Sequence, residues 1–220
     1  MKQKIELVID CAGSNIFVGV LDHKNQWKSR ISCEGTALEN LFPSVKAALK
    51  DANINLSNLS GFVYCEGPGS ILGLRLCAMA IETWRRLYPN CAELYKYNSL
   101  QLSSLILLED DADLKDALIV SDWKKGAWNS IQINATSTEK VKVIDDDALT
   151  SWNGKLYHLP QRKGWQSPPL KAKTLLYSPE RVSELRLHTA AFKATDQVEI
   201  YNNAVNTFQK WTPSRHGKKA

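Results

Sequence analysis

Two short segments of the sequence carry residue types that could bind a phosphate group. The first begins where Asp10 ends the apolar run 5–9 and leads into a turn of small residues, Ala12, Gly13 and Ser14. In such a turn the backbone N–H groups can face an anion while the carboxylate reaches a metal-bound water. An aspartate at a strand end is also a common turn residue. The segment therefore indicates a phosphate site without excluding a purely structural turn.

The second segment is Gly67-Pro68-Gly69-Ser70, which lies directly before a helical pattern. Ser70 can cap that helix, and the free N–H groups and dipole of a helix start favour negative charge. Gly67 and Gly69 would allow an anion to approach the backbone closely. The Gly-Lys-Ser/Thr ending of a Walker A loop is absent. A phosphate-binding loop and an ordinary strand-to-helix turn both remain open here.

Other catalytic chemistry has little support in the sequence. It contains no G-x-S-x-G nucleophile motif. The five cysteines include no C-x-x-C pair, which disfavours zinc sites and disulfides and favours buried free thiols. The histidines form no metal-binding spacing, and they are His23, His158, His188 and His216. We therefore assign no metal ligands and no catalytic residues.

The elements that would position these segments follow from hydrophobic periodicity. Strands are predicted at 5–10, 16–21, 28–32 and 59–65, with helices from Thr36 to about 52 and from 71 to 88. Thr36 and Glu39 have the spacing of a capping box, and Pro43 predicts a bend in the first helix. The second helix is apolar on nearly every side and must be covered on more than one of them. Its own sheet can cover one side, so a second helix, domain or chain is needed for the other.

The second half of the chain repeats the pattern of the first weakly. After a strand at 93–97 and a helix at 99–108, a new series begins with the strand 117–122, which again ends in a carboxylate, Asp122. Further strands are predicted at 128–135 and 140–144, irregular structure at 151–173 and a helix at 178–190. These patterns predict two related domains, 1–98 and 99–215, and a basic tail, 216–220.

Composition and charge narrow the classes of protein. The chain has 220 residues, of which 44% are hydrophobic and 23% charged, as in ordinary globular proteins. No apolar run could span a membrane, and Met1 to Lys4 lead into a strand without a signal-peptide core, so we expect a cytoplasmic protein. Residues 155–220 carry a net charge of +8, against −3 for the rest. This asymmetry leaves open binding of a nucleic acid or another anionic partner, for example through Lys171 and Lys173, and a merely solvated surface.

Taken together, these segments resemble the TsaB (YeaZ) family of glycoprotease-like proteins. The resemblance rests on residues 9–14 and on 61–75, where Gly67, Pro68, Gly69, Ser70, Gly73 and Arg75 match a family hallmark. Residues 199–205 are similar to the family's C-terminal stretch. Four residues depart from the pattern: Glu66 replaces an arginine, Ile71 a phenylalanine, Leu72 a threonine and Asn202 an arginine. A carboxylate at position 66 should weaken phosphate binding by the loop.

The resemblance implies an actin-like α/β fold (ASKHA, ribonuclease H-like) of two related βββαβα-type domains. It also implies a non-catalytic subunit that activates a TsaD-like catalytic partner in threonylcarbamoyladenosine modification of tRNA, joined by a TsaE-like ATPase. A homodimer is implied for the protein alone, with tRNA contacted indirectly and no membrane partner. No cofactor is expected to bind tightly, although ATP or ADP with Mg²⁺ at an interface of the complex stays open.

The family's contact surface is formed by the two helices of the N-terminal domain. We therefore predict contact or helix-packing roles for nine residues: Leu38, Leu41, Phe42, Val45, Leu72, Arg75, Leu76, Met79 and Trp84. The alternative function is a small ATP-dependent phosphotransferase or ATPase. It would use a phosphate site made of Asp10, Gly13, Ser14, Gly67, Gly69 and Ser70. A peptidase is disfavoured because a nucleophile and a histidine pair are missing.

Overall fold

The structure is a computed structural model that describes residues 4–134, 137–138, 140–161, 166–188 and 191–202. Within these ranges no helix combines the length and the apolar character needed to cross a lipid bilayer. The chain forms two six-stranded sheets that are joined through one helix.

The first domain is built on five strands of the first sheet, with two helices on one face. Its elements are β1 (Glu6–Asp10), β2 (Asn15–Leu21), β3 (Trp27–Glu34), α1 (Ala37–Asp51), β4 (Gly61–Gly67), α2 (Ile71–Leu87) and β5 (Glu93–Asn98). The strand order is β5-β4-β1-β2-β3, with β1 parallel to β4 and antiparallel to β2. The predicted strands and both helices of this half are therefore confirmed.

Local capping explains where the helices begin. The Thr36 hydroxyl accepts a hydrogen bond from the Glu39 N–H (3.2 Å), and the Glu39 carboxylate accepts one from the Thr36 N–H. Ser70 caps α2 by accepting from the Gly73 N–H (3.4 Å). Each cap satisfies a backbone donor that the first turn leaves without a partner. Pro43 lies inside α1, which continues past it to Asp51.

The second domain repeats this arrangement in shorter form. It follows α3 (Ser99–Asp110) and contains β6 (Asp116–Lys124), β7 (Ala127–Asn134), β8 (Ser137–Thr138), β9 (Lys142–Asp145), α4 (Asp146–Thr150), β10 (Lys155–His158) and β11 (Lys173–Thr174). Strand β6 is antiparallel to β7 and parallel to β10, as β1 is to β2 and β4. The two sheets therefore share one topology, and both begin with a strand that carries an aspartate near its end.

Helix α3 joins the two domains because it is apolar on two sides. Leu102 and Ile106 pack in the core under the first sheet, whereas Leu100 packs with strands of the second. A helix with two apolar faces is stable only when both are covered.

After the second sheet the chain returns to the first domain. The last elements are a 3₁₀ turn at Pro179–Arg181, α5 (Val182–Leu185) and β12 (Lys193–Ala194), which pairs with β5 at the edge of the first sheet. Val182 and Leu185 are fully buried in the first-domain core. The described residues from Pro179 onwards therefore pack on the first domain, whereas the sequence pattern placed them in the second, 99–215. The expected tail 216–220 lies outside the described residues.

Two sequence expectations for the second half are wrong. The helix predicted at 178–190 is shorter: a 3₁₀ turn at Pro179–Arg181 leads into α5, which ends at Leu185, and the next residue, Arg186, binds Glu6. The irregular stretch predicted at 151–173 contains β10, which pairs in register with β6. Its sequence Lys155-Leu156-Tyr157-His158 is too short and too mixed for periodicity to identify.

An ion pair fixes the returning chain to the first sheet. The Arg186 guanidinium donates to both carboxylate oxygens of Glu6, at 2.8 and 3.1 Å, and lies 4.0 Å from the ring centre of Tyr95. The side chains of Arg186 and Glu6 are 9% and 3% exposed. Lys4 also reaches Glu6, at 3.1 Å, from a more exposed position.

We expect Arg186→Ala to lower the free energy of unfolding by about 3 kcal/mol, because it leaves the buried Glu6 carboxylate with Lys4 alone. The matched control is Arg181→Ala. Arg181 also pairs with several carboxylates, but these are largely exposed, so its loss should cost less than about 1 kcal/mol. Urea unfolding of both variants measures the difference. Equal losses of unfolding free energy in the two variants would mean that burial does not strengthen the Arg186–Glu6 ion pair.

Candidate functional site

The carboxylate of Asp10 is buried and fully engaged by other groups of the chain. Its Oδ1 accepts a hydrogen bond from the Ala12 N–H (2.8 Å), and its Oδ2 accepts from the hydroxyls of Tyr97 and Tyr177, each at 2.5 Å. Asp10 is 1% exposed. Tyr177 lies in the segment that follows β11, so a residue far along the sequence covers Asp10 at the end of β1.

Burial dominates the electrostatics of this cluster. It raises the pKa of Asp10 above its ordinary value, against the hydrogen bonds from Tyr177, Tyr97 and Ala12, which lower it. Burial, together with the neighbouring Asp10 charge, raises the pKa of Tyr97 and of Tyr177 well above their ordinary values. Both tyrosines therefore stay protonated and act as hydrogen-bond donors to Asp10.

The two predicted phosphate-binding turns pack against each other. The Ser70 N–H donates to the Ala12 carbonyl (3.1 Å), and a Cβ on Gly69 would lie only 2.3 Å from that oxygen. A Cβ on Gly13 would lie 2.9 Å from the Tyr177 ring. The glycines here therefore allow other parts of the same chain to pack closely against the two turns.

The six residues predicted to bind a phosphate group therefore do not lie in one place. Gly69 and Ser70 line an open cleft, whereas Asp10 and Gly13 do not. Ser14 is exposed beyond the first turn, and Gly67 adopts φ 112°, a conformation that favours glycine. The structure does not bring these residues together around one ligand position.

Glu66, one of the departures from the family pattern, is paired with a neighbouring cation. Its carboxylate forms an ion pair with Lys96 at 2.9 Å, and Lys96 also binds Glu199 at 2.5 Å. Burial lowers the pKa of Lys96, but its hydrogen bonds to Glu199 and Glu66 hold it above the ordinary value. The charge of Glu66 therefore serves to fix residues 195–202, whose Tyr201 N–H also donates to the Glu66 carbonyl (2.8 Å).

A cleft of about 620 Å³ lies between the two domains. One wall is the start of α2, with Leu72 and Arg75, and the other contains Asp122 and Trp123 from β6. Its lining also includes Asn129, Gln161, Tyr201 and Asn202. The sequence indicated Asp122 as a strand-end carboxylate but not as part of a site, because only the packing of the two sheets brings it opposite α2.

Behind this cleft, Asp122 Oδ1 lies 3.5 Å from His158 Nε2, and both residues are buried. No cluster of three or more metal-binding side chains is found among the described residues.

The predicted contact residues on α1 and α2 fall into two groups. Leu41, Val45 and Trp84 are buried, which is the placement expected of helix-packing residues. Trp84 stacks on Phe62 of the sheet (6.0 Å between ring centres) and meets the edge of Phe42. Leu76 is half-buried at the margin.

The predicted residues that are exposed, together with Ile71, form a surface that we call the α1–α2 face. Its apolar members are Leu38 (68% exposed), Phe42 (50%), Ile71 (60%), Leu72 (64%) and Met79 (68%). On α2, exposed positions recur at 72, 75, 79, 83 and 86, which is one side of a helix. Large apolar side chains clustered on one face are typical of interaction sites. The prediction that this helix has more apolar surface than its own chain covers is thus confirmed within the described residues.

The basic residues of the second half give weaker support for nucleic-acid binding than their net charge suggested. Lys171 and Lys173 are exposed, but Lys155 pairs with Asp111 at 3.1 Å. Trp152 packs against the outer core of the second sheet, which is the ordinary role of a tryptophan. Trp165 and Trp211 lie outside the described residues.

Comparison with a known protein family points to the same part of the chain. Residues 35–88 match the family model for TsaD, tRNA N6-adenosine threonylcarbamoyltransferase. That range coincides with α1, β4 and α2, the elements that carry the α1–α2 face and the Gly-Pro-Gly turn.

Two curated proteins are similar over part of their length. The uncharacterized protein MG208 of Mycoplasma genitalium is 30% identical over 101 residues, which is 44% of this chain and 51% of that protein. Its homologue in Mycoplasma pneumoniae is 29% identical over 102 residues, or 45% and 52%. The chain thus spans about half the length of the curated relatives that it matches.

Among solved structures, YeaZ from Pseudomonas aeruginosa superposes with a TM-score of 0.65 at 13% sequence identity, over 90% of this chain and 99% of that chain. A second structure, described as similar to peptidase YeaZ of Pseudomonas aeruginosa, gives 0.62 at the same identity and coverage. At this identity the likeness establishes the fold alone, and the predicted α/β architecture with two sheets of related topology is confirmed.

Proposed function

We propose that this chain, YeaZ-like in fold and TsaD-like in sequence over residues 35–88, is a non-catalytic subunit of a tRNA-modifying assembly. It would bind a TsaD-like catalytic partner through the α1–α2 face and support threonylcarbamoyladenosine formation. The observation that carries the proposal is the exposed apolar surface on α1 and α2, within the very segment that matches the family. A standard interface buries about 800 Å² per partner, which two helices of this length can supply.

The state of Asp10 supports a non-catalytic role. A phosphotransferase or ATPase of this fold would need the strand-end carboxylate free to reach a metal-bound water. Here both oxygens are engaged by Ala12, Tyr97 and Tyr177, and the side chain is buried. The alternative enzymatic function therefore finds less support than binding does.

Other members of the proposed assembly follow from the same role. A TsaE-like ATPase would join the complex, and tRNA would be contacted through the catalytic partner, with the whole assembly in the cytoplasm. Leu72 and Arg75 belong to both the interdomain cleft and the α1–α2 face. ATP or ADP with Mg²⁺ held at the interface would therefore touch this chain at the mouth of the cleft.

The experiment mixes the purified chain with the TsaD-like protein of the same source and measures mass by size-exclusion chromatography with light scattering. We expect a stable complex and no ATP turnover by this chain alone. Steady ATP hydrolysis that disappears in an Asp10→Ala variant which is still folded would favour the enzyme instead. Failure to form any complex at micromolar concentrations would contradict the proposal.

A further inference from the structure

Two of the five cysteines, Cys11 and Cys77, lie side by side in the interior of the first domain. Cys11 directly follows β1 and Cys77 lies on α2, and each is only 1% exposed. Both side chains belong to the core between the first sheet and the helices α1 and α2. The spacing of the cysteines gives no sign of this pairing, because 66 positions separate residue 11 from residue 77.

The contact of α2 with the end of β1 brings the two thiols together. The Ser70 N–H donates to the Ala12 carbonyl (3.1 Å), which ties the start of α2 to the residue after Cys11. A Cβ on Gly73 would lie 3.3 Å from the Cys11 Cβ. Cys77 is about one helical turn beyond Gly73 on the same side of α2, so it faces the same strand end. The two thiols are hydrogen-bonded to each other.

The other three cysteines have different surroundings. Cys65 faces the opposite side of the first sheet, where its sulfur lies 3.6 Å from the Tyr177 hydroxyl. Cys91 lies within hydrogen-bond distance of two backbone carbonyls, at 3.4 and 3.6 Å. Cys33 is half-buried on β3, the outermost strand of the sheet. The pair at the end of β1 is therefore the one whose surroundings favour a covalent link.

We propose that Cys11 and Cys77 form an oxidation site, at which a peroxide converts the two thiols into a disulfide that ties α2 to the end of β1. A disulfide needs Cα atoms about 4.4–6.8 Å apart and side chains directed at each other. The packing of Gly73 on Cys11, one turn before Cys77, brings the two side chains toward that arrangement.

The reaction needs no oxidant other than the peroxide. One thiol loses its proton and its sulfur attacks an oxygen of hydrogen peroxide, whose O–O bond breaks to give a sulfenic acid and water. The sulfur of the second thiol then attacks the sulfenic sulfur, the S–O bond breaks, and the departing oxygen leaves as a second water. Two thiols are oxidised to one disulfide, and the peroxide is reduced to two molecules of water.

The surroundings of the pair make this reaction slow. The hydrogen bond to Cys11, together with burial, raises the pKa of Cys77 well above its ordinary value. Because the thiolate is the reactive form, only a small fraction of the protein is ready to react at neutral pH. Hydrogen peroxide is little larger than water, so it can enter this interior during a small local opening. We therefore expect the link to form over hours rather than seconds.

The disulfide would restrict a large part of the first domain. It closes a loop over residues 11–77, which contains β2, β3, α1 and β4. A link across a long loop removes many conformations from the unfolded chain and so stabilises the folded one. The oxidised protein should therefore unfold at a higher temperature, with α2 and the turn before it fixed to β1.

The test treats the purified full chain with about 1 mM hydrogen peroxide at about pH 7.5. Remaining thiols are then blocked with N-ethylmaleimide, and linked peptides are identified by mass spectrometry. The variants Cys11→Ala and Cys77→Ala each remove one partner. The matched control, Cys33→Ala, removes the half-buried thiol on β3. Because the linked peptides are identified in the wild type itself, the result does not depend on how well the variants fold.

We expect the wild type and Cys33→Ala to yield one linked pair of peptides, which contain residues 11 and 77. The midpoint of thermal unfolding of both proteins should rise by about 5 °C or more on oxidation and return to its initial value with dithiothreitol. Oxidation of Cys11→Ala or Cys77→Ala should give neither the linked peptides nor the rise.

A wild type that keeps both thiols free after a day of treatment would overturn this inference. A link that joins either residue to Cys33, Cys65 or Cys91 instead would also overturn it. The same holds for a link that forms only in denaturant, because the folded chain would then not hold the two thiols together. None of these measurements uses the TsaD-like protein, so their outcome is independent of the proposed function.

Discussion

Replacing Met79 by aspartate is expected to abolish the complex with the TsaD-like partner while leaving the fold intact. Met79 is 68% exposed and lies in the middle of the exposed side of α2, so the chain itself loses little packing. In the complex, a carboxylate at this position would be buried beside apolar groups without a dedicated partner. Residues at the centre of an interface typically carry most of its binding energy. We expect a loss of at least about 100-fold in affinity, or roughly 3 kcal/mol.

The matched control is Leu170→Asp, which makes the same kind of change at a fully exposed residue on the second domain. It should bind the partner like the wild type. Calorimetric titration measures affinity, and thermal unfolding followed by circular dichroism confirms that both variants fold. Normal binding by Met79→Asp would exclude the α1–α2 face as the docking site.

Asp10→Ala is expected to lower the free energy of unfolding by roughly 3–5 kcal/mol, at least as much as the loss of Arg186. The substitution removes the common acceptor of Tyr97 and Tyr177 and leaves their hydroxyls unpaired in the interior. It also frees the Ala12 N–H and opens a cavity at the end of β1. Guanidinium unfolding measures the loss, and a cost below about 1 kcal/mol would show that the cluster is not structural.

Asp10→Asn serves as the conservative variant for the same position. It keeps the shape of the side chain and one acceptor oxygen, so we expect a smaller loss than with alanine.

Comparison of the wild type with Asp10→Asn also tests the shifted pKa of Asp10. The folded-state pKa is raised above its ordinary value of 3.8. Its contribution to stability is therefore fully present below that value and is lost as pH rises through the folded-state pKa. The wild type should gain stability relative to Asp10→Asn as pH falls from neutral toward 4. A relative loss over that range would mean that the carboxylate is ionised at a lower pH than inferred.

The first half of the fold was predictable because local signals there agree with one another. Thr36 with Glu39, and Ser70 before an apolar pattern, fix where α1 and α2 begin. Sequence could not divide the apolar helix residues into buried and exposed, since Leu41 and Leu72 are the same residue type at helical spacing. Only the position of each helix on the sheet decides that Leu41 is buried and Leu72 exposed.

The sequence did not predict those parts of the candidate site in which residues far apart in the chain meet. Asp10 was interpreted from its local turn, but its role depends on Tyr177, which is 167 positions away. Glu66 was interpreted from its own loop alone, but its carboxylate pairs with Lys96 of β5. The helix expected at 178–190 ends at Leu185, and Arg186 beyond it binds Glu6 of β1. In each case a long-range contact overrides a local preference, and a single sequence carries no signal for such contacts.

The return of the chain to β5 has a consequence for how the protein is made. Because β12 is synthesised after the whole second domain, the first sheet stays unfinished at one edge until residues 193–194 have left the ribosome. Until then β5 exposes unpaired backbone groups, the kind of edge through which nascent chains aggregate. Translation that stops within the second domain would release a protein in which α1 and α2 can form but β5 lacks its two-residue neighbour β12.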